Sequence, residues 1–197
     1  MEKAYKITKL LIWVLAFAIV IVGAWVLYNK LGAELQPGGL ATQPAETEAT
    51  DGTEADYAAP DFTMYDLEGN PVKLSDFEGK PAILNFWASW CGPCKSEMPD
   101  IEAAYQKYGE EIHFVILNLT DGSSETVESA HGYIESQGYT FPVYYDSGME
   151  GAMTYGVSGV PITFFIDAEG NLMAYYQGAM SADILQQGID MIYTPGE

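Results

Sequence analysis

The chain has 197 residues, 48% hydrophobic and 18% charged, enough apolar material for one soluble domain of ordinary size and hardly for two. Eight lysines, no arginine and 28 acidic residues give a net charge of −20, with no basic stripe to neutralise phosphates, which argues against nucleic acid as a partner. The two cysteines, Cys91 and Cys94, lie three apart, so a bridge between them closes almost no loop. This excludes a disulfide-stapled mini-protein and gives the pair a chemical rather than a structural purpose.

Residues 10 to 28, LLIWVLAFAIVIVGAWVLY, are 19 uncharged and mostly apolar residues, the length of a helix that crosses a hydrocarbon core. Lys3, Lys6 and Lys9 precede this run and Lys30 follows it, while the next charges, from Glu34, are acidic. The positive-inside bias therefore puts residues 1 to 9 in the cytoplasm and everything after the span outside, with Trp25 and Tyr28 at the outer interface. A cleaved signal peptide has a shorter apolar stretch, roughly 7 to 15 residues, ending in an A-x-A-like site. Leu31, Gly32 and Ala33 match that site poorly, and no cysteine near the span offers a lipid attachment point, so the reading is an uncleaved signal anchor in the cell membrane.

Residues 29 to 59 are rich in Gly, Pro, Ala, Thr and acids and too poor in apolar side chains to offset their ordering entropy, as expected of a disordered linker. Such a tether reaches about 30 Å. Residues 60 to 197 form the domain, where 21 acidic residues against four lysines between 61 and 197 favour solubility and repel acidic partners.

Within the domain, residues 61 to 74 read as a hairpin around a turn at 67 to 70, and PAILNFWA, residues 81 to 88, as a strand buried on both faces. That strand leads directly into Ser89, Trp90, Cys91, Gly92, Pro93 and Cys94, with a helix from 92 to 108 that carries Pro93 in its first turn and Pro99 as a kink. A strand at 112 to 119, a helix at 124 to 136 and a short strand at 141 to 145 continue a parallel core. ITFFID after Pro161, a turn at 168 to 171 and LMAYYQ form an antiparallel hairpin, and a helix from 181 to 191 ends the domain.

Thiol-disulfide exchange needs one thiolate to attack and a second thiol close enough to resolve the mixed disulfide, and C-x-x-C supplies both. At a helix N-terminus the free N–H groups and the positive dipole end favour Cys91 as an exposed thiolate, below the usual pKa of about 8.5, while Cys94, one turn in, is shielded and resolves. Zinc would need four ligands, and only His113 and His131 could join the cysteines. No metal or cofactor is called for.

LNFWASWCGPCKSEMP, followed by VSGVPITFFIDAEG with Pro161 70 residues after Cys91, resembles the thioredoxin-fold redoxins and, more narrowly, the membrane-tethered TlpA/ResA-like thiol-disulfide oxidoreductases. The resemblance runs from about residue 59 to 193 and implies an α/β thioredoxin-like fold with an N-terminal β-hairpin and an inserted helix and strand between 120 and 145, preceded here by one transmembrane helix. It further implies that Pro161 is cis and faces the cysteines, keeping Val160 extended so that its backbone can pair with a client. Trp90, Gly92 and Pro93 are implied to shape the surface around the attacking cysteine. Gly178 matches a rim glycine, or simply initiates the last helix. Asn85 stands where thioredoxin carries a buried acid and cannot exchange a proton, while Glu97, on the Cys94 face of the helix, resembles an acid of ResA-like sites that accepts a proton or tunes Cys94. Trp87 reads as core, Lys95 as solvent-facing, and His113 as an ordinary strand residue.

These features point to an extracytoplasmic protein-disulfide reductase. By resemblance its clients include apocytochrome c and methionine sulfoxide reductases, and its electrons come from a CcdA/DsbD-type membrane thiol transporter. A disulfide-forming oxidant remains an alternative, as does a tethered module that holds cysteine-containing clients without turnover. A peroxidase fits less well, because Leu84 and Ala88 occupy the Pro and Thr positions of the peroxiredoxin P-x-x-x-T-x-x-C pattern.

Overall fold

The structure is a computed structural model that describes residues 41 to 42 and 58 to 195. Among the described residues no helix is long and apolar enough to cross a membrane. The span expected at 10 to 28, and most of the linker expected at 29 to 59, lie outside the described residues.

Eight strands form one mixed sheet: β1 (Ala41–Thr42), β2 (Thr63–Tyr65), β3 (Pro71–Lys73), β4 (Ala82–Trp87), β5 (His113–Asn118), β6 (Val143–Tyr145), β7 (Ile162–Ile166) and β8 (Leu172–Gln177), in the spatial order β1-β8-β7-β4-β5-β6-β2-β3. The helices are α1 (Gly92–Tyr108), α2 (Val127–Gln137), α3 (Glu150–Thr154) and α4 (Ala182–Ile192). Strands β4, β5 and β6 run parallel, β7 runs antiparallel beside β4, and β8 runs antiparallel on the far side of β7. Within the stretch read as linker, Ala41–Thr42 pairs antiparallel with Ala174 and Tyr175 on the β8 edge, and Ala58 bridges Asn171.

The mostly apolar texture of β4, broken only by Asn85, places it at the centre, with all six residues buried. Period-two alternation then divides its side chains. Ile83 and Trp87 pack with Met98 and Ile101 of α1, Leu185 and Ile189 of α4 and Ala130 and Ile134 of α2. Ala82, Leu84 and Phe86 pack on the opposite face with Phe62, Met64 and Phe164. Asn85 alternates with Ile83 and Trp87, so the polar residue of this strand falls on the face covered by α1.

Local chemistry sets the element ends. In the N-terminal hairpin, the Asn70 N–H donates to the Asp66 carboxylate at 2.8 Å and Gly69 takes φ +82°, closing the turn where the sequence placed it. Helix α2 starts three residues later than the expected 124, because the backbone N–H groups of Ser123, Ser124 and Glu125 are committed to the Asp121 carboxylate and Thr126 takes over as N-cap. Pro99 sits inside α1 without ending it. The short α3 was not anticipated: Asp146, buried, accepts the Gly151 and Ala152 N–H groups of its first turn. A Cβ on Gly151 would lie 2.6 Å from the Phe62 ring, so the close seat of α3 requires glycine there.

Candidate active site

Strand β4 ends in a tight reversal, with the Cys91 N–H donating to the Ala88 carbonyl at 3.1 Å and Ser89 and Trp90 in between. Cys91 is then the N-cap of α1, and its Sγ accepts the Cys94 N–H at 3.1 Å. The helix N-terminus thus directs a backbone donor at the sulfur that must carry negative charge. The two cysteines are joined as a disulfide with Cα atoms 5.2 Å apart.

Facing them across the end of the sheet is the Val160–Pro161 segment, whose peptide bond is cis, as the resemblance implied. The Val160 carbonyl oxygen lies 3.6 Å from Cys91 Sγ. Gln177 Nε2 donates to the Gly159 carbonyl at 3.1 Å and to the Pro161 carbonyl at 3.3 Å. The Gly178 N–H donates to the same Pro161 carbonyl at 2.9 Å from a residue at φ +107°, so Gly178 stands at the rim of the site.

Exposure of the cysteines differs from expectation. Cys94 is fully buried, but Cys91 is also only 4% exposed, because the Val160 segment closes over its sulfur. What stands open is the lip around it: Trp90 is 59% exposed, and Gly92 and Pro93 are exposed. Trp87 is wholly buried core, and Lys95, partly exposed, places Nζ 5.6 Å from the Tyr133 ring.

Glu97, one turn after Cys94, is 1% exposed rather than a solvated helix residue. Its Oε1 accepts from Asn85 Nδ2 at 2.9 Å, and its Oε2 accepts the Met180 N–H at 2.9 Å. Burial pushes its carboxyl up to about 7; the Met180 and Asn85 donors oppose the shift and the Asp100 charge adds to it. Asn85, unable to exchange a proton, instead holds the group that can, and its Nδ2 also donates to Thr163 Oγ1 at 2.8 Å.

Sequence reasoning missed a second carboxylate. Glu125, 1% exposed, accepts the Ser89 N–H at 3.1 Å and the Ser89 hydroxyl at 2.9 Å through Oε2, and the Asn118 amide and Ser129 hydroxyl, both at 3.3 Å, through Oε1. It anchors the reversal that presents Trp90 and Cys91 from 36 residues away in the chain, and nothing local in the sequence marks it. Asn85 and Thr163 did carry a signal: each is the lone polar residue of an otherwise apolar buried strand. His113 lies at the opposite end of β5 from the cysteines, packed against Phe77, its pKa lowered chiefly by burial.

Residues 55 to 175 match the family model described as the AhpC/TSA family. The thiol-disulfide oxidoreductase ResA of Bacillus thuringiensis is 36% identical over 135 residues, which is 68% of this chain and 76% of that protein. The chain belongs to the ResA-like thiol-disulfide oxidoreductases of the AhpC/TSA family. Among solved structures, StoA from Bacillus subtilis aligns with a TM-score of 0.57 at 28% identity, covering 66% of this chain and 96% of that one. A secreted Mycobacterium tuberculosis disulfide oxidoreductase homologous to E. coli DsbE aligns with a TM-score of 0.58 at 25% identity, covering 66% and 94%. For a ResA-like protein the chemistry of the site is exchange at Cys91 and Cys94. The cis Val160–Pro161 segment lies against Cys91 Sγ, and the buried Glu97 sits one turn beyond Cys94 on α1.

Proposed function

We propose that this ResA-like oxidoreductase works outside the cytoplasm as a reductant, held at the cell membrane by residues 10 to 28, and that it reduces disulfides of client proteins. The observation that carries the reading is the setting of Cys91 Sγ, which accepts the Cys94 N–H while lying beside the Val160 carbonyl of the cis-proline segment. A client strand laid along Val160 brings its disulfide to that sulfur. The Cys91 thiolate attacks one client sulfur, the client S–S bond breaks, and the client's leaving thiolate takes up a proton. Cys94, giving its proton to Glu97, then attacks Cys91 Sγ, releases the second client thiolate and closes the Cys91–Cys94 disulfide. Two electrons have passed to the client. A CcdA/DsbD-type membrane thiol transporter resets the pair, and apocytochrome c or a methionine sulfoxide reductase fits as client. The secreted location of the M. tuberculosis relative supports the compartment, and the apolar run after three lysines supports the anchor.

The test is the reduction potential of the pair, read by equilibration against a dithiol buffer. A value near about −270 mV makes the protein a donor of electrons, and one near about −120 mV makes it a disulfide-forming oxidant and refutes the direction proposed. In parallel, Cys91→Ser abolishes reduction of a client disulfide and Cys94→Ser accumulates a mixed disulfide on Cys91, seen as an added client mass. An unsubstituted protein that reduces no client disulfide, with client binding kept in Cys91→Ser, would point to a holding module instead.

A further inference from the structure

Two polar side chains interrupt the apolar strands beneath α1, and they face each other: Asn85 on β4 and Thr163 on β7 are register partners, both fully buried. A side-chain amide offers two N–H donors and an oxygen with two lone pairs. Both donors of Asn85 are in use, one to Glu97 Oε1 at 2.9 Å and one to Thr163 Oγ1 at 2.8 Å. Its Oδ1 is buried with no partner among the described residues.

This orientation suits only one charge state of Glu97. A carboxylate accepts and never donates, so Nδ2 facing Oε1 and the Met180 N–H facing Oε2 satisfy it. The Met180 N–H is fixed by the backbone and stays on Oε2, so a proton taken up on Glu97 finds its acceptor on the Oε1 side, where Asn85 Nδ2 presents a donor instead. A half-turn of the amide removes the conflict. Oδ1 then occupies the place of Nδ2 and accepts the Glu97 O–H, and the Thr163 hydroxyl, which serves as acceptor or donor equally well, turns its proton onto the same Oδ1. Asn85 makes two hydrogen bonds in either state, and the unpaired atom changes from Oδ1 to Nδ2.

We propose that Asn85 is a positioning residue for Glu97, whose amide inverts, with the Thr163 hydroxyl as its pivot, each time Glu97 gains or loses a proton. The proposal rests on Glu97 being the proton acceptor in exchange. It explains why an amide, rather than a second acid or an apolar residue, lies under the catalytic helix: an amide supports both forms of the acid, whereas an acid would add a charge and a leucine would support neither. The other titratable groups near Glu97 are few. Asp100 lies on α1 with the cysteine pair, Tyr176 on β8 stands across from Thr163, and Asp183 and Asp190 of α4 are exposed. Neither β4 nor β7 carries a titratable side chain.

The experiment is NMR on the oxidised full chain, with no titrating cysteine, labelled with carbon-13 at Glu carboxyls and nitrogen-15 at Asn side chains, followed from about pH 5 to about pH 9. The Asn85 amide resonances and the Glu97 carboxyl carbon should move together with one midpoint. Asn85→Leu removes a bond from both forms of the acid, and because the charge-assisted bond to the carboxylate is the stronger, the Glu97 midpoint should rise by about one pH unit, tenfold in proton affinity. A Glu97 that titrates while the Asn85 amide resonances stay fixed overturns this proposal alone, as does an unchanged midpoint in folded Asn85→Leu. A Glu97 that stays ionised throughout overturns both the proposal and the proton-acceptor reading beneath it. Should Asn85→Leu fail to fold, the amide resonances of the unsubstituted chain decide the question by themselves.

Discussion

Replacing Glu97 by Gln isolates the energetic consequence of burying this acid. Burial raises its carboxyl from 4.5 to about 7 in the folded chain, so the native state binds that proton more tightly than the unfolded state does. The proton's contribution to stability is therefore complete below pH 4.5, declines as pH rises, and is gone above about pH 7. The interval between 4.5 and about 7 corresponds to about 3 kcal/mol of folding stability lost over that range. Gln is close in shape to the protonated acid and does not titrate, so any cost of rearranging its bonds to Asn85 and Met180 is the same at every pH. Urea unfolding of oxidised Glu97→Gln and of the unsubstituted protein, at intervals from about pH 4 to about pH 8.5, should show the variant gaining about 3 kcal/mol relative to the original as pH rises. The difference cancels the other acids, which titrate alike in both proteins. A stability difference that stays constant with pH, or that shrinks as pH rises, would refute the reasoning.

Removing the anchor of the Ser89 reversal by Glu125→Ala takes the partner from the part-buried Ser89 N–H and from the buried Asn118 amide. It should cost about 2 to 4 kcal/mol, measured by chemical denaturation. Gly188→Ala drives a Cβ into the Phe165 ring and should destabilise the seat of α4 by about 1 to 3 kcal/mol. A thermal midpoint within a degree of the original would show that the α4 contact is looser than it looks. Trp90→Ala, at the 59% exposed lip, should raise KM for a protein client by about tenfold, equivalent to about 1.4 kcal/mol. The rate at which a small dithiol reduces Cys91–Cys94 should stay within about twofold, and equal losses with both substrates would place Trp90 in the chemistry instead.

Much of the fold was legible because short-range rules decided it. The run at 82 to 87, apolar but for Asn85, has the length and texture of a central strand, the Asp66 to Asn70 and Asp167 to Asn171 turns carry side chains that close onto their own backbone, and Ser181 caps α4. Where local competition was close, the sequence misled. Ser124 and Glu125 have ordinary helical texture, yet the Asp121 carboxylate captures their N–H groups and delays α2 to Val127. The five residues of α3 are too few to show a period, and Asp146 organises them from outside the helix.

The chemistry of the protein was present in the sequence itself. Two cysteines spaced x-x at the start of a helix, after a buried strand, prescribe a thiol exchanger, because spacing and helix dipole act within one turn and need no distant partner. What only the tertiary structure decided is the environment that tunes it. The Val160 segment comes over Cys91 from 69 residues away and the Met180 N–H reaches Glu97 from 83 away, while Glu125 holds Ser89 across a separation of 36. Burial and hydrogen bonding at such separations depend on how β4, β5, β7 and α1 pack together. The sequence marks Glu97 only by its resemblance to a ResA-like acid; in the folded chain the loss of water around it pushes its carboxyl up to about 7.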